Sequence, residues 1–332
     1  MPKRWKRITL YSGYLLLVTL PLLEIGVRLW GYAERHIYDP IYTSFEPSED
    51  IPYIHKPNLI HARGRGLAII NTDSLGLRST TSGTVYGTKQ PHEYRIAIVG
   101  DSFTFGEGVP RTEDTFSQVL EDRLNQQQKH SIVKVFNFGA SAYSVKQMAA
   151  TLQHRMLDIQ PDLVVMAIIP GDFNLSRTPV IDAAGYLVDQ RIAIFLDSPV
   201  REILRRVHLM YVLRDVALPW FSSSQSVGLL LERGEIPDSY RYIQQFKETA
   251  DRHRLPYVIV LIPRMEEKAW GLLPDQLRKD LVTTLDMSSL EKEFTRKEYM
   301  ASQFDPHASP AVHRRIGESL AKYVQHLPGY TY

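Results

Sequence analysis

Ser102 closes the tripeptide Gly100-Asp101-Ser102, which follows the apolar run Arg95-Ile-Ala-Ile-Val99. A serine hydroxyl is a weak nucleophile until a neighbouring base takes its proton. Near the other end of the chain, Phe304-Asp-Pro-His307 supplies a carboxylate and an imidazole two residues apart. An ordinary imidazole titrates near pH 6.5, so it can accept and return a proton around neutrality. A carboxylate on the far ring nitrogen would fix the tautomer and stabilise the imidazolium. On an extended segment residues two apart project to the same side, so Asp305 and His307 can meet across Pro306. Ser102, His307 and Asp305 thus offer a nucleophile, a base and an orienter, the outline of a serine hydrolase. Taken singly, each has a blander reading, with Ser102 a turn serine and His307 a loop histidine.

Other polar residues suggest less. Asp101 sits beside the nucleophile and is expected to brace the turn through backbone hydrogen bonds. His313 is expected on the exposed or half-buried surface of the last helix, and Asp172 to hold a loop. The histidines have no metal-ligand spacing, so no metal is expected. Gly106 and Gly108 lack the helix start of a dinucleotide site, and no cofactor is called for. Cysteine is absent, which removes disulfides, thiolate zinc sites and a cysteine nucleophile.

A serine at the C-terminal end of an inner strand lies where open α/β sheets gather their chemistry. From Tyr94 onward strand-like and helix-like segments alternate, as in a mostly parallel sheet covered on both faces. Strands are expected at Arg95–Val99, Val133–Phe138, Asp162–Ile169, Tyr257–Ile262 and Leu281–Asp286. Phe116, Val119, Leu120 and Leu124 fall at helical spacing, as do Val145, Met148, Ala149 and Leu152. A last helix starts at Ser309 as N-cap with Pro310 behind it, and carries Val312, Ile316, Leu320 and Tyr323 on one stripe. Residues 175–237 exceed a simple crossover. Val200, Ile203, Leu204, Val207 and Tyr211 share a helical face there, ahead of the run Ser222-Ser-Ser-Gln-Ser226. This insertion reads as an extra packed helix, a cap over the site or a membrane contact.

The 332 residues are 44% hydrophobic and 23% charged, enough for a sizeable core. Four of the 39 basic residues are Lys3, Arg4, Lys6 and Arg7, which leaves 35 against 37 acidic residues in the body. A nucleic-acid binder would need a concentrated basic face, and this near-neutral body argues against one, so no nucleic-acid partner is expected. Ile8 to Leu23 carries no charge and spans about 24 Å as a helix, slightly short of a full bilayer crossing. Glu24 and Arg28 could pair and let the helix continue to Trp30 and Tyr32. The upstream cations and interfacial aromatics suit an anchor with a cytoplasmic N-terminus; the alternatives are a cleaved signal peptide, for which no convincing small-residue site follows Leu23, and a buried soluble helix. Three regions follow: an anchor at 1–32, a proline-punctuated stem and irregular lead-in at 33–93, and a catalytic domain at 94–332.

From Tyr94 onward the chain resembles the SGNH/GDSL hydrolase superfamily, in particular its membrane-anchored bacterial members. Gly100-Asp101-Ser102 is similar to the first block. Asn137-Phe-Gly-Ala-Ser-Ala-Tyr-Ser144 resembles the second, Ile169-Pro-Gly-Asp-Phe-Asn174 a degenerate third, and Asp305-Pro-His307 the last. Such members often carry a segment like Asn71-Thr-Asp-Ser-Leu-Gly-Leu-Arg78 ahead of the domain. The resemblance implies a flavodoxin-like three-layer α/β sandwich. It also implies a Ser102–His307–Asp305 triad, with an oxyanion hole from the Ser102 and Ala142 N–H groups and the Asn174 amide. Ala142 stands where the family usually has glycine. The third block admits a second register that puts Gly171 at the asparagine position, and the Asp-to-His spacing is two rather than three. The implied activity is ester hydrolysis outside the cytoplasm, for instance carbohydrate deacetylation. Transfer of an acyl group to a surface polysaccharide, or glycan binding without efficient catalysis, are the alternatives.

Overall fold

The computed structural model describes residues 3–126, 131–175, 179–189, 203–221, 235–265, 284–328 and 330. Five parallel strands form the central sheet: β1 (Glu93–Val99), β2 (Ile132–Asn137), β3 (Leu163–Ile168), β4 (Tyr257–Leu261) and β5 (Thr284–Asp286). Their order is β2-β1-β3-β4-β5, the flavodoxin-like arrangement with its switch point beside β1. Every residue of β1 and β3 is buried, as expected of inner strands covered on both faces. Residues 281–283, expected to open β5, lie outside the described residues.

Two helices cover one face. Phe116, Leu120 and Leu124 of α4 (Phe116–Asn125) and Val312, Ile316, Leu320 and Val324 of the last helix, α8 (Pro310–Gln325), pack against Ile96, Ile98, Val165 and Val258. Ser309 caps α8 as expected, its Oγ accepting from the Val312 N–H. The opposite face carries α5 (Val145–Thr151) and α7 (Glu235–Arg252), whose Met148, Ile243 and Phe246 meet Ala97, Val99 and Met166. A short α3 (Ser102–Phe105) lies directly after β1.

Residues 33–93 are the stem and irregular lead-in of the sequence reading. They hold little regular structure, but Tyr42, Ile51, Tyr53, Ile70 and Leu77 are buried in the same cluster as α5 and α7. Prolines broke the hydrophobic period without preventing burial, because the backbone closes on itself through short two-residue ribbons such as Tyr42–Thr43 with Ile54–His55. Within it, the Asp73 carboxylate accepts the Leu75 and Leu77 N–H groups. That turn delivers Arg78 into the interior.

At the N-terminus, α1 (Lys3–Tyr14) runs through a π-turn at Leu15–Thr19 into α2 (Leu20–Trp30). Pro21 has no N–H for the carbonyl four residues back and crowds it, which accounts for the widened turn. The span Arg4–Trp30 is long and apolar enough to cross a membrane. Glu24 and Arg28 pair at 2.7 Å. The Glu24 carboxylate also accepts the His208 and Leu209 N–H groups at 3.0 and 2.8 Å, so it satisfies the first turn of α6 (His208–Phe221). The face expected from Val200 to Tyr211 is therefore not one helix. The chain turns at Arg206, whose carbonyl accepts from Arg28, and α6 begins two residues later. Val200 and the run Ser222–Ser226 lie outside the described residues.

Candidate active site

The first, second and third blocks all leave the same edge of the sheet. The Ala140 N–H donates to the Gly100 carbonyl and the Phe138 N–H to that of Ile98, so the first two loops lie side by side. Asn137 ties them further, donating to the Thr104 carbonyl at 2.7 Å and accepting from the Gly139 N–H. Asp101 caps α3, its Oδ1 accepting the Phe103 N–H at 2.8 Å, which is the bracing role expected of it. Arg78 secures the far side of the same turn. Its guanidinium donates to the carbonyls of Gly106 (2.5 Å) and Val109 (2.8 Å).

Asp305 and His307 lie on a short strand, Asp305–Ala308, that pairs with Met300–Ser302 and ends at α8. The strand brings His307 Nε2 to 2.9 Å from Ser102 Oγ, while Nδ1 lies 2.5 Å from Asp305 Oδ1. Ser102, His307 and Asp305 are thus joined in line. Gly108, with φ +75°, sets how close the loop comes. A Cβ there would fall 2.8 Å from Asp305 Oδ2 and 2.7 Å from the Ala301 methyl.

The single Ser102 hydroxyl proton has two acceptors, His307 Nε2 and, at 3.2 Å, Asp101 Oδ2. Neutral imidazole takes it at Nε2; imidazolium leaves it to Asp101. Burial favours the neutral ring, but the hydrogen bond and charge of Asp305, with the charges of Glu107 and Asp101, outweigh it and hold the His307 pKa above the ordinary imidazole value. Burial likewise opposes ionisation of Asp305, yet His307 and Arg65 keep its pKa below the usual carboxylate range.

The oxyanion candidates fall into two groups. Ser102 is the first residue of α3, where N–H groups point outward without intrahelical partners. Ala142 has φ +63°, a left-handed conformation that glycine adopts freely and alanine adopts under strain. The family's glycine position therefore keeps glycine geometry here with an alanine in it. Neither N–H has a hydrogen-bond partner among the described residues. Asn174 lies just past the turn Pro170–Phe173, half-buried, its N–H donating to the Gly171 carbonyl at 3.2 Å. Its side chain makes none of the hydrogen bonds of Ser102 or His307. Asp172 holds this loop, Oδ2 accepting the Ile169 N–H at 2.9 Å.

His313 departs from expectation. It is buried, and its Nδ1 accepts the Phe116 N–H at 3.1 Å while its ring stacks on that of Phe116. Burial first, then the charges of Arg78 and His307, push its pKa down to about 3. The sequence placed it on the helix surface because its capping partner is nearly 200 residues away. Arg78, Glu107 and Arg65 were also missed as site neighbours. The only signal was their position, beside the turn of the Asn71–Arg78 segment and within Gly106-Glu-Gly108.

The strand order decides the architecture: the chain has the doubly wound, flavodoxin-like α/β fold that the resemblance implied. Solved structures resemble it at a distance. A lipolytic protein of the G-D-S-L family from Desulfitobacterium hafniense is 14% identical, with a TM-score of 0.41 over 69% of this chain and 98% of its own. An acetylxylan esterase from Geobacillus stearothermophilus, solved as a catalytic mutant, is 16% identical at TM-score 0.39, covering 69% and 93%. A family 3 carbohydrate esterase from Clostridium thermocellum is 13% identical at 0.39, covering 70% and 95%. No protein-family model and no curated sequence matches the chain.

Proposed function

We propose that this protein is a serine-dependent ester hydrolase that works through an acyl-Ser102 intermediate. The observation that carries the reading is the continuous line from Ser102 Oγ to His307 Nε2 at 2.9 Å and from Nδ1 to Asp305 at 2.5 Å. As Ser102 Oγ bonds to the acyl carbonyl carbon, its proton passes to Nε2 and the carbonyl electrons move onto oxygen. The Ser102 and Ala142 N–H groups, with the Asn174 amide as third donor, would bind that oxyanion. Collapse expels the alkoxide, which takes the proton from Nε2. Water then repeats the sequence on the acyl-serine, and the carboxylate product leaves. Asp305 keeps the imidazole oriented throughout and stabilises its charged form.

Carbohydrate O-acyl groups are the proposed substrates, following the resemblance of the four sequence blocks. A sugar hydroxyl in place of water would make the same intermediate a transferase. The Arg4–Trp30 helix is proposed as a membrane anchor, with Lys3, Arg4, Lys6 and Arg7 cytoplasmic and the body outside. The test is hydrolysis of acetyl esters by the full chain in detergent micelles. Turnover that disappears in Ser102→Ala supports the reading, and turnover that persists in that variant rejects it. A C-terminal reporter active only in the cytoplasm would reverse the orientation.

A further inference from the structure

A carboxylate with no counterpart in the triad lies against it. Glu107 is buried, five residues beyond Ser102, and the tight turn after α3 folds its N–H back onto the Ser102 carbonyl at 2.9 Å. Its Oε2 is 3.4 Å from His307 Nε2, the nitrogen that faces Ser102. The same oxygen pairs with Arg65 Nη1 at 3.2 Å. Its other oxygen accepts the hydroxyl of Ser141, the residue before the strained Ala142. Ser141 is held twice more from the lead-in segment. The Tyr42 hydroxyl donates to its Oγ at 2.8 Å, and the Tyr53 hydroxyl to its carbonyl at 2.5 Å.

One buried carboxylate therefore touches both the base and the loop that carries an oxyanion donor. We propose that Glu107, held by Arg65, is a positioning residue of the active site that stabilises the protonated form of His307 and fixes the Ser141–Ala142 loop. The proposal rests on the catalytic reading of Ser102 and His307. Burying an unpaired carboxylate is costly, so retaining one here requires compensation. Arg65 supplies part of it, since burial opposes ionisation of Glu107 while Arg65, His307 and Ser141 favour it and prevail. The rest comes when His307 takes the Ser102 proton and becomes a cation between two carboxylates. The charged or titratable groups facing His307 are Asp305 on its own strand, Glu107 and Asp101 from the loops flanking α3, Arg65 through those acids, and His313 on α8. Among the described residues Phe103 is a further ring neighbour, at 5.4 Å between centroids.

The test reads His307 directly, by NMR titration of its ring nitrogens in the full chain, beside kcat and KM. In Glu107→Gln the His307 midpoint falls by about one pH unit, because a charge at this range is lost and the shape is kept. The kcat falls by about tenfold with little change in KM, as for an interaction made in the transition state. Glu107→Asp, which keeps the charge, restores the midpoint toward the original. If Glu107→Gln does not fold, Arg65→Met/Glu107→Met removes the pair without orphaning either charge, and the midpoint falls there too. An unchanged midpoint in the folded variant overturns the proposal whatever the activity. So does a Glu107→Asp midpoint as low as that of Glu107→Gln, since the fall would then follow packing rather than charge. If Ser102 never acylates but the midpoint still falls, the catalytic reading fails and the role of Glu107 toward His307 stands.

Discussion

The strand Asp305–Ala308 holds a half-buried histidine and the first turn of α8 a buried one, six residues apart, and they are treated in opposite ways. His307 lies between Asp305 and Glu107, and its pKa is raised although burial opposes the charge. Among the described residues no acid forms an ion pair with His313; it stacks on Phe116 and accepts a backbone N–H, and burial with the charges of Arg78 and His307 outweighs Asp114 and pushes its pKa down to about 3. Burial alone therefore does not decide which histidine can shuttle a proton; the neighbouring carboxylates do. In the proposed mechanism the first takes the Ser102 proton, and the second caps α4.

The largest expected effect separates the two. His307→Ala and Ser102→Ala each lower kcat on the order of 10⁴-fold or more, and the double variant is little worse, because groups that act as a unit are not additive. His313→Ala leaves the active site intact. Steady-state kinetics of the folded proteins checks this, and loss of turnover in His313→Ala alone would reverse the assignment. Next, Asn174→Ala lowers kcat about 10²–10³-fold if its amide is the third oxyanion donor. A near-normal kcat would instead favour the register that leaves the hole with two donors.

Much of the site could be read from the sequence because its parts follow strands. Ser102 after β1 and Asp305-Pro-His307 before a capped helix are local patterns, and the structure brings them within hydrogen-bond distance. Glu107 and Arg65 were hidden because their roles depend on two loops meeting. The burial of the lead-in was hidden for the same reason. Tyr42, Tyr53 and Ile70 are buried without a helical or strand period, so no window of sequence marks them as core. His313 shows the converse. Its position on α8 was legible, but its partner at Phe116 comes from α4.

Stability should divide the histidines as well. His313→Ala removes a stacked ring and leaves the buried Phe116 N–H without its acceptor, at a cost of about 2–4 kcal/mol in denaturant unfolding. His55, buried in a stack with Phe105, is also pushed down to about 3, by burial and then by Arg155 and Arg78. Both rings stay neutral in the folded state while the unfolded chain takes up protons below about pH 6.5. The unfolded state then binds more protons, so stability is lost as pH falls from 6.5 toward 3, by about 1.4 kcal/mol per pH unit for each ring. Melting temperature recorded against pH checks the direction. Activity should respond to the other histidine, with kcat/KM rising through a midpoint above the ordinary imidazole value. The smallest effect is at Ala142. Replacing it with glycine relieves the left-handed backbone and stabilises the protein by about 0.5–1 kcal/mol, read from the denaturation midpoint.

The most direct measurement is of the acyl-enzyme itself. The full chain is mixed with an activated acetyl ester, quenched in acid during the first turnover, digested and analysed by mass spectrometry. The account predicts an acetyl group on Ser102, absent from Ser102→Ala and discharged by water or by a sugar hydroxyl. No adduct together with no turnover, or turnover that survives in Ser102→Ala, would contradict it.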